Sequence, residues 1–471
     1  MAPAKPEPPT RPEPPAKPEP PKQPESEAKT QVLPKTEAKP APKRRRKIPL
    51  PVVAAVVAAL LLAGAVVALI ATGALDSGGS EPAAPAPQIG GSGPQQHPQA
   101  SPEPQPPADL GFPAFATQNT TRVGGADPTS DAAGVALAAF PSQGGSESPG
   151  AVVVVGDENW QGGIAAASLT AQPLHAPILI STKDEVPADT SAALTALGPQ
   201  GSVASGGAQA IAIGDVAVPD GLQTRRVGGK DPASQAEAID LLRRKLGISQ
   251  PHNVLVVSDR AAAFSMPAAA WAARSGDVVL FTGPKKLPKP TVRALGRHKK
   301  LPVYVVGPSS VIPSAVVRQI YKAGGEVRRV SGEDPVSNAI TLARYSNGDF
   351  GWNINDPGHG FVVATVSRPL DAAAAAPLSA GGTWGPLLLT DSADTLPGAL
   401  RGYFLDVKPG YETDPTRAFY NHVWVIGDKS AIDVAEQAEI DDLAELARIG
   451  GNPAPKPPAP KKQQPKKKGG K

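Results

Sequence analysis

The sequence contains no cysteine, and only 4% of its 471 residues are aromatic. The lack of cysteine excludes disulfides, zinc–thiolate sites and cysteine nucleophiles, and it leaves the redox compartment open. The common enzyme signatures, among them Gly-x-Ser-x-Gly, His-Glu-x-x-His, Walker A and Gly-x-Gly-x-x-Gly, are also missing. The six histidines have no regular spacing. We therefore predict no catalytic residue, no metal site and no cofactor.

Positive charge is concentrated at the two ends of the chain, although the net charge is only +4. Residues 1–47 carry 12 Lys and Arg against 6 Glu, and residues 452–471 carry 7 Lys and no acidic residue. The part between them is therefore acidic overall. Such a charge balance disfavours a nucleic-acid-binding face, and we predict no nucleic acid partner.

The first 120 residues are predicted to hold one membrane-spanning helix between two unfolded segments. Residues 1–47 repeat Pro, Lys and Glu, and residues 76–120 are rich in Gly, Ser, Pro and Gln, which predicts a disordered tail and a flexible linker. Residues 48–75 are uncharged and mostly Val, Ala, Leu or Ile. The 26 residues from Leu50 to Leu75 reach about 39 Å as a helix, enough to cross a hydrocarbon core of about 30 Å.

The charges beside this apolar segment predict its orientation. Five basic residues, Lys43–Lys47, stand before it and Asp76 follows it. The positive-inside rule then places the amino terminus in the cytoplasm and everything after Leu75 outside the cell. We expect a single-pass membrane protein with the rest of the chain extracellular at the cell wall, and the cytoplasmic partner of residues 1–47 stays unknown.

A seven-residue pattern recurs three times in the rest of the chain. Arg-Val-Gly-Gly-x-Asp-Pro begins at Arg122 and again at Arg226, and Arg-Val-Ser-Gly-Glu-Asp-Pro begins at Arg329. The steps between the copies are 104 and 103 residues. Near-constant spacing over three copies indicates a repeated structural unit.

Each copy continues with the same order of elements. Its Asp and Pro are suited to the cap and first position of an Ala-rich helix. Then come an apolar strand, a helix of small residues, a second strand ending in Ser or Thr, and a third strand ending in Gly. Short apolar strands that alternate with helices predict a parallel sheet covered on both faces. The predicted fold class is α/β, with three tandem parallel-sheet modules.

The predicted organisation has seven segments. They are a Pro/Lys/Glu-rich tail (1–47), a transmembrane helix (48–75), a linker (76–120), three repeat modules (121–225, 226–328 and 329–450) and a basic Lys/Pro-rich tail (451–471).

The order of motifs resembles the cell wall-binding repeat 2 family of Gram-positive bacteria. The third copy carries the resemblance best, with Pro-Leu-Asp-Ala at 369–372, Ala-Pro-Leu at 376–378 and Pro-Leu-Leu-Leu-Thr at 386–390. The resemblance covers about residues 121–450. It implies Rossmann-like or Toprim-like modules packed around a pseudo-threefold axis, and a role at the cell wall. The abundance of Ala, Pro and Gly is typical of a GC-rich bacterial genome.

The sequence departs from the family pattern at three kinds of position. Pro follows the opening Asp in all three copies, where the family has Arg. The Asp of the second motif is present only as Asp371. The second glycine after the third strand is replaced by Asp215, Pro308 and Asp428. These departures leave the ligand that the resemblance implies open.

Candidate ligand-binding residues stand at the ends of the second strands. Ligands of parallel α/β sheets bind beyond the carboxyl ends of the strands, which favours Ser181, Thr282 and Thr390, with Asp371 near the last. Hydroxyl and carboxylate groups there can bind a polyhydroxylated glycan. In the alternative reading each hydroxyl bonds its own turn, and Asp371 caps the next helix.

The equivalent arginines Arg122, Arg226 and Arg329 are candidates for binding an anionic polymer. The alternative is a repeated structural salt bridge. Together these patterns predict a non-catalytic, membrane-anchored surface protein whose repeats bind a cell-wall glycan or an anionic wall polymer. Two other functions stay open: an envelope scaffold that links a cytoplasmic partner to the cell surface, and a hydrolase that uses a module cleft.

Overall fold

The computed structural model describes residues 115–141, 148–381 and 384–449. The strands in these ranges are β1 (Phe115–Ala116), β2 (Thr120–Val123), β3 (Val152–Gly156), β4 (Ile178–Ser181), β5 (Ala210–Ile213), β6 (Thr224–Val227), β7 (Val254–Ser258), β8 (Val278–Thr282), β9 (Val303–Val306), β10 (Val327–Val330), β11 (Gly360–Thr365), β12 (Leu387–Thr390), β13 (Gly410–Tyr411), β14 (His422–Ile426) and β15 (Ala447–Arg448).

The helices of the same ranges alternate with these strands. They are α1 (Pro128–Ala139), α2 (Trp160–Ala166), α3 (Ala188–Leu197), α4 (Pro232–Lys245), α5 (Ala262–Ser265), α6 (Pro267–Ser275), α7 (Lys289–Arg297), α8 (Ser314–Gly324), α9 (Pro335–Arg344), α10 (Asp371–Ala374), α11 (Ala376–Ala380), α12 (Gly398–Asp406) and α13 (Val434–Ala444), with 3₁₀ turns at Ala167–Leu169 and Pro415–Arg417.

Three parallel sheets confirm the predicted α/β architecture. Their strand orders are β4-β3-β5-β6, β8-β7-β9-β10 and β12-β11-β14-β2, with the short β1 antiparallel to β2. The central strands are buried along their whole length, as expected for strands whose two faces are covered by helices. The helices that open the repeats begin at the predicted caps: Asp127, Asp231 and Asp334 each accept backbone N–H bonds of the first turn.

The opening strand of each repeat completes the sheet of the repeat before it. Strand β6 pairs with β5 of the first repeat, and β10 pairs with β9 of the second. Strand β2, which precedes the first repeat's own sheet, pairs in parallel with β14 of the third repeat. The amino-terminal strand therefore closes the three repeats into a ring. Strand pairing begins at Phe115, within the segment predicted as a linker.

Helices of small residues meet at the centre of the ring. Helix α2 of the first repeat, α6 of the second and α10 of the third contact one another in pairs. A Cβ atom added to Gly163 of α2 would lie only 2.8 Å from the Cβ of Ala373 in α10. Gly and Ala are needed there because larger side chains would separate the helices.

The segment between α9 and β11 of the third repeat packs on the second repeat through aromatic rings. Phe350 stacks on Tyr304 with ring centroids 3.6 Å apart, and Trp352 meets Trp271 edge-to-face at 5.5 Å. The side chains of Phe350 and Trp352 are both buried. In a chain with few aromatic residues, this cluster concentrates apolar burial at one boundary between repeats.

Two predictions need correction: the transmembrane helix in the fold class and the location in the membrane. Residues 48–75 lie outside the described residues, and so do both predicted tails. Among the described helices none is long and apolar enough to cross a bilayer. The longest, α4, has 14 residues and reaches about 21 Å, short of a hydrocarbon core of about 30 Å. The described residues therefore form parallel-sheet modules and contain no membrane-spanning helix. The predicted membrane location is not retained.

Candidate functional site

The predicted hydroxyl residues lie at the carboxyl ends of the sheets, each in a different one. Ser181, Thr282 and Thr390 are buried at the ends of β4, β8 and β12. Each hydroxyl donates a hydrogen bond of 3.0–3.2 Å to a backbone carbonyl in the following turn. The carbonyls belong to Glu185, Gly283 and Ser392. Local turn bonding therefore occupies these hydroxyls, and their role in ligand binding stays a prediction.

Arg122 is buried at the carboxyl edge of the third sheet. Its guanidinium donates to Gln437 Oε1 at 2.9 Å and to the carbonyls of Gly427, Asp428 and Asp433 at 2.8, 2.9 and 3.3 Å. Burial lowers the pKa of Arg122, and nearby carboxylates oppose that shift. The arginine ties the end of β14 to the start of α13, so its donors are used within the protein.

The two equivalent arginines differ from Arg122 and from each other. Arg329 is half-buried, donates to the carbonyls of Gly307 and Ile312, and has its pKa lowered by burial. Arg226 is exposed and donates only to the Val216 carbonyl, at 2.8 Å, within the described residues. The expected ion pairs are not found for the three arginines in the described ranges. Their observed partners are mainly backbone carbonyls.

Asp371 belongs to a buried charge cluster that joins the third repeat to the first. Its Oδ2 lies 3.2 Å from Arg368 Nε, and another nitrogen of the same guanidinium donates to the Asp131 carboxylate. Asp131 Oδ1 also accepts the Gly125 N–H at 2.7 Å. Burial raises the pKa of both carboxyls, and the guanidinium of Arg368, which faces the two of them, opposes that rise. Asp371 makes no helix-capping bond, so the proposed cap is not what holds it there.

Sequence reasoning missed Asp131 and Arg368. At the position of Asp131 the other repeats have the amides Gln235 and Asn338, four residues after the capping Asp. Asn338 reaches the neighbouring repeat in a similar way, donating to the Phe264 carbonyl at 3.2 Å. The sequence signal for Asp131 was a carboxylate at a position where the other two copies carry an amide. Its partner Arg368 could not be identified from the sequence, because only the tertiary structure brings the third repeat against the first.

A second buried carboxylate lies beside Thr390. Glu436, in the first turn of α13, is almost fully buried, and its two carboxylate oxygens have no hydrogen-bond partner among the described residues. Burial raises the pKa of Glu436 to about 7. The equivalent residue of the second repeat, nine positions after the strand-ending glycine, is the buried Val316. Within the described residues no group of three or more His, Asp or Glu is placed to hold a metal ion.

Comparison with known proteins gives likeness of fold. Neither a protein-family model nor a curated protein matches the sequence. Among solved structures, Cwp8 from Clostridium difficile matches with a TM-score of 0.54 at 22% identity, covering 70% of this chain and 52% of that one. Cwp6 from Clostridium difficile matches with a TM-score of 0.53 at 20% identity, covering 69% and 48%. This chain therefore spans about half the length of those structures, and the likeness shows the fold alone.

Proposed function

We propose that this chain is a non-catalytic cell-surface protein whose three repeats bind a polymer of the cell wall. The observation that carries the proposal is the closed ring of three parallel sheets, each with an arginine on its last strand. Its fold is similar to that of the cell wall proteins Cwp8 and Cwp6. The absence of enzyme signatures from the sequence supports a binding role.

The ring supports a binding role because it fixes three edges of the same kind in one rigid body. The central helices contact one another across all three repeats, and β2 joins the two ends of the repeat region. Loop-borne groups on such a scaffold hold their spacing, which suits repeated contacts along one long polymer. Several weak contacts then combine into strong attachment.

Sedimentation of the full-length protein with purified Gram-positive cell walls tests the proposal. The walls are used intact and after extraction of their anionic polymers, at low salt and at about 0.3 M salt. We expect retention on intact walls at both salt concentrations. Failure to sediment with any wall preparation at low salt contradicts the proposal, and release of soluble wall fragments contradicts the non-catalytic part of it.

A matched variant separates the folded repeats from the lysine-rich tail. Lys466, Lys467 and Lys468 are changed together to Gln, because seven lysines after residue 451 bind polyanions through general electrostatics. Salt screens exposed charges over about 10 Å at 0.1 M and less at higher concentration. We expect this variant to be retained less than the unchanged protein at low salt and equally well at 0.3 M. Equal loss at both concentrations assigns the retention to the tail and not to the repeats.

A further inference from the structure

The carboxyl edge of the first sheet is open where the other two are covered. After β9 and β14 the chain forms the helices α8 and α13 before it continues. After β5 the residues 214–223 form no helix, and the chain passes directly into β6. A surface cleft of about 540 Å³ lies at this place, bordered by Lys183, Asp215, Val216, Arg226, Gly228 and Gly229.

The missing helix leaves Arg226 with unused donors. In the other two sheets the equivalent arginines bond carbonyls at the start of the covering helix, Asp433 for Arg122 and Ile312 for Arg329. Arg226 makes one side-chain hydrogen bond within the described residues, to Val216. A guanidinium has five N–H donors in a planar fork. Most of that fork therefore faces the cleft and solvent.

A second cation borders the same cleft. Lys183 Nζ lies 3.7 Å from Asp215 Oδ2, and both side chains are largely exposed, at 69% and 82%. Exposed pairs of this kind contribute little, so the ammonium can turn towards a ligand. Beside them, a Cβ atom added to Gly228 would meet no atom within 4 Å. The backbone at Gly228 is thus open to a ligand.

We propose that this cleft binds an oxyanion, a phosphate diester or a carboxylate, of an anionic wall polymer. The inference rests on the proposed function and assigns the anion contact to one site in the first repeat. Arginine binds both oxyanions through two parallel N–H bonds, and lysine adds a point charge. Asp215 opposes the ligand, because its carboxylate has the same sign and competes with it for Lys183.

Binding of short soluble oligomers to the full-length protein tests this site. One arm uses a short glycerol-phosphate oligomer, a second uses an oligogalacturonide, and a third uses inorganic phosphate, all at about 0.15 M salt. Arg226→Gln is expected to weaken binding of the preferred oligomer about tenfold, the usual effect of losing a charge-assisted bidentate contact. Asp215→Asn is expected to strengthen it several-fold, a gain that misfolding cannot mimic. The arm with the tighter binding identifies the oxyanion.

Arg225→Gln is the matched control. It removes the same charge one residue earlier on β6, where alternation turns the side chain to the opposite face, so binding is expected to stay unchanged. Equal binding by Arg226→Gln and the unchanged protein in all arms overturns the inference, as does equal weakening by Arg225→Gln. Wall sedimentation separates the two proposals: wall retention that persists in Arg226→Gln leaves the wall-binding function standing, and an unchanged protein that fails to sediment contradicts that function.

Discussion

The carboxyl edges of the first and third sheets carry the same Arg-Val pair, but the arginine is exposed at the first edge and buried at the third. In the third sheet Arg122 is buried beneath α13 and has four acceptors. In the first sheet Arg226 is exposed and has one acceptor in the described residues. The arginine is the same, and the segment after the third strand decides its role. A repeated residue therefore need not have a repeated function.

The two edges also differ in the charged groups beside them: the third edge has a buried charge cluster and, among the described residues, the first edge does not. The third edge is filled by Arg368, Asp371 and Glu436, which are buried or nearly so, together with Asp131 from the first repeat. At the first edge the residue equivalent to Arg368 is Asn159, whose side chain caps α2 by accepting the Gly162 N–H at 3.0 Å. The third edge uses its polar groups to close the ring. At the first edge Arg226 and Lys183 stay exposed.

The largest expected difference is between Arg122→Ala and Arg226→Ala. Arg122→Ala removes four hydrogen bonds from a buried guanidinium, and we expect a loss of about 3 kcal/mol or more in the free energy of unfolding. Arg226→Ala should change stability by no more than about 0.5 kcal/mol, as for most surface substitutions. Chemical denaturation of both full-length variants measures the difference. Equal destabilisation would show that the two arginines have the same structural role.

A smaller difference is expected between Gly124→Ala and Gly228→Ala, at equivalent positions after the arginine strands. Gly124 has a φ of +105°, and a Cβ there would collide with the Asp131 side chain. Gly228 has open space around the same position. We expect Gly124→Ala to cost about 2 kcal/mol or more, with a clear fall in Tm. The Tm of Gly228→Ala should stay near that of the unchanged protein, and a similar fall in both variants would contradict the open first edge.

The smallest expected effect depends on pH and concerns Glu436. Its pKa is raised from the ordinary 4.5 to about 7, so the folded protein holds this proton more tightly than the unfolded chain does. Stability from this group is complete below about pH 4.5 and is lost as the pH rises to about 7. Glu436→Gln keeps the neutral form. It should raise the free energy of unfolding by about 1–2 kcal/mol at pH 8 and leave it unchanged at pH 4.5.

Denaturation curves across this pH range check the prediction, with Glu326→Gln as the control. Glu326 is exposed and pairs with Arg328 at 2.6 Å, so its substitution should have little effect at either pH. A gain at pH 8 that is equally large at pH 4.5 would contradict burial as the cause. It would mean that packing, not the charge of Glu436, limits stability there.

Much of the fold was predictable because it depends on local and periodic features. The spacing of Arg122, Arg226 and Arg329 indicated three repeated units, and the Asp-Pro pairs predicted where the opening helices begin. The apolar strands predicted parallel sheets. The candidate site was less predictable, because Ser181, Thr282 and Thr390 are spread over three sheets. Their hydroxyls are already bonded to local turns.

The sequence by itself determined the repeated element order, since strand burial and helix capping depend on neighbouring residues. The tertiary structure decided which strand completes which sheet. Strand β2 closes the third sheet from more than 200 residues away in the chain, and no local pattern carries that pairing. It also decided that Arg122 is enclosed and Arg226 is open, because a guanidinium's role depends on what packs over it. The missing helix after β5 is visible in the sequence only as a short loop, and its consequence is a cleft.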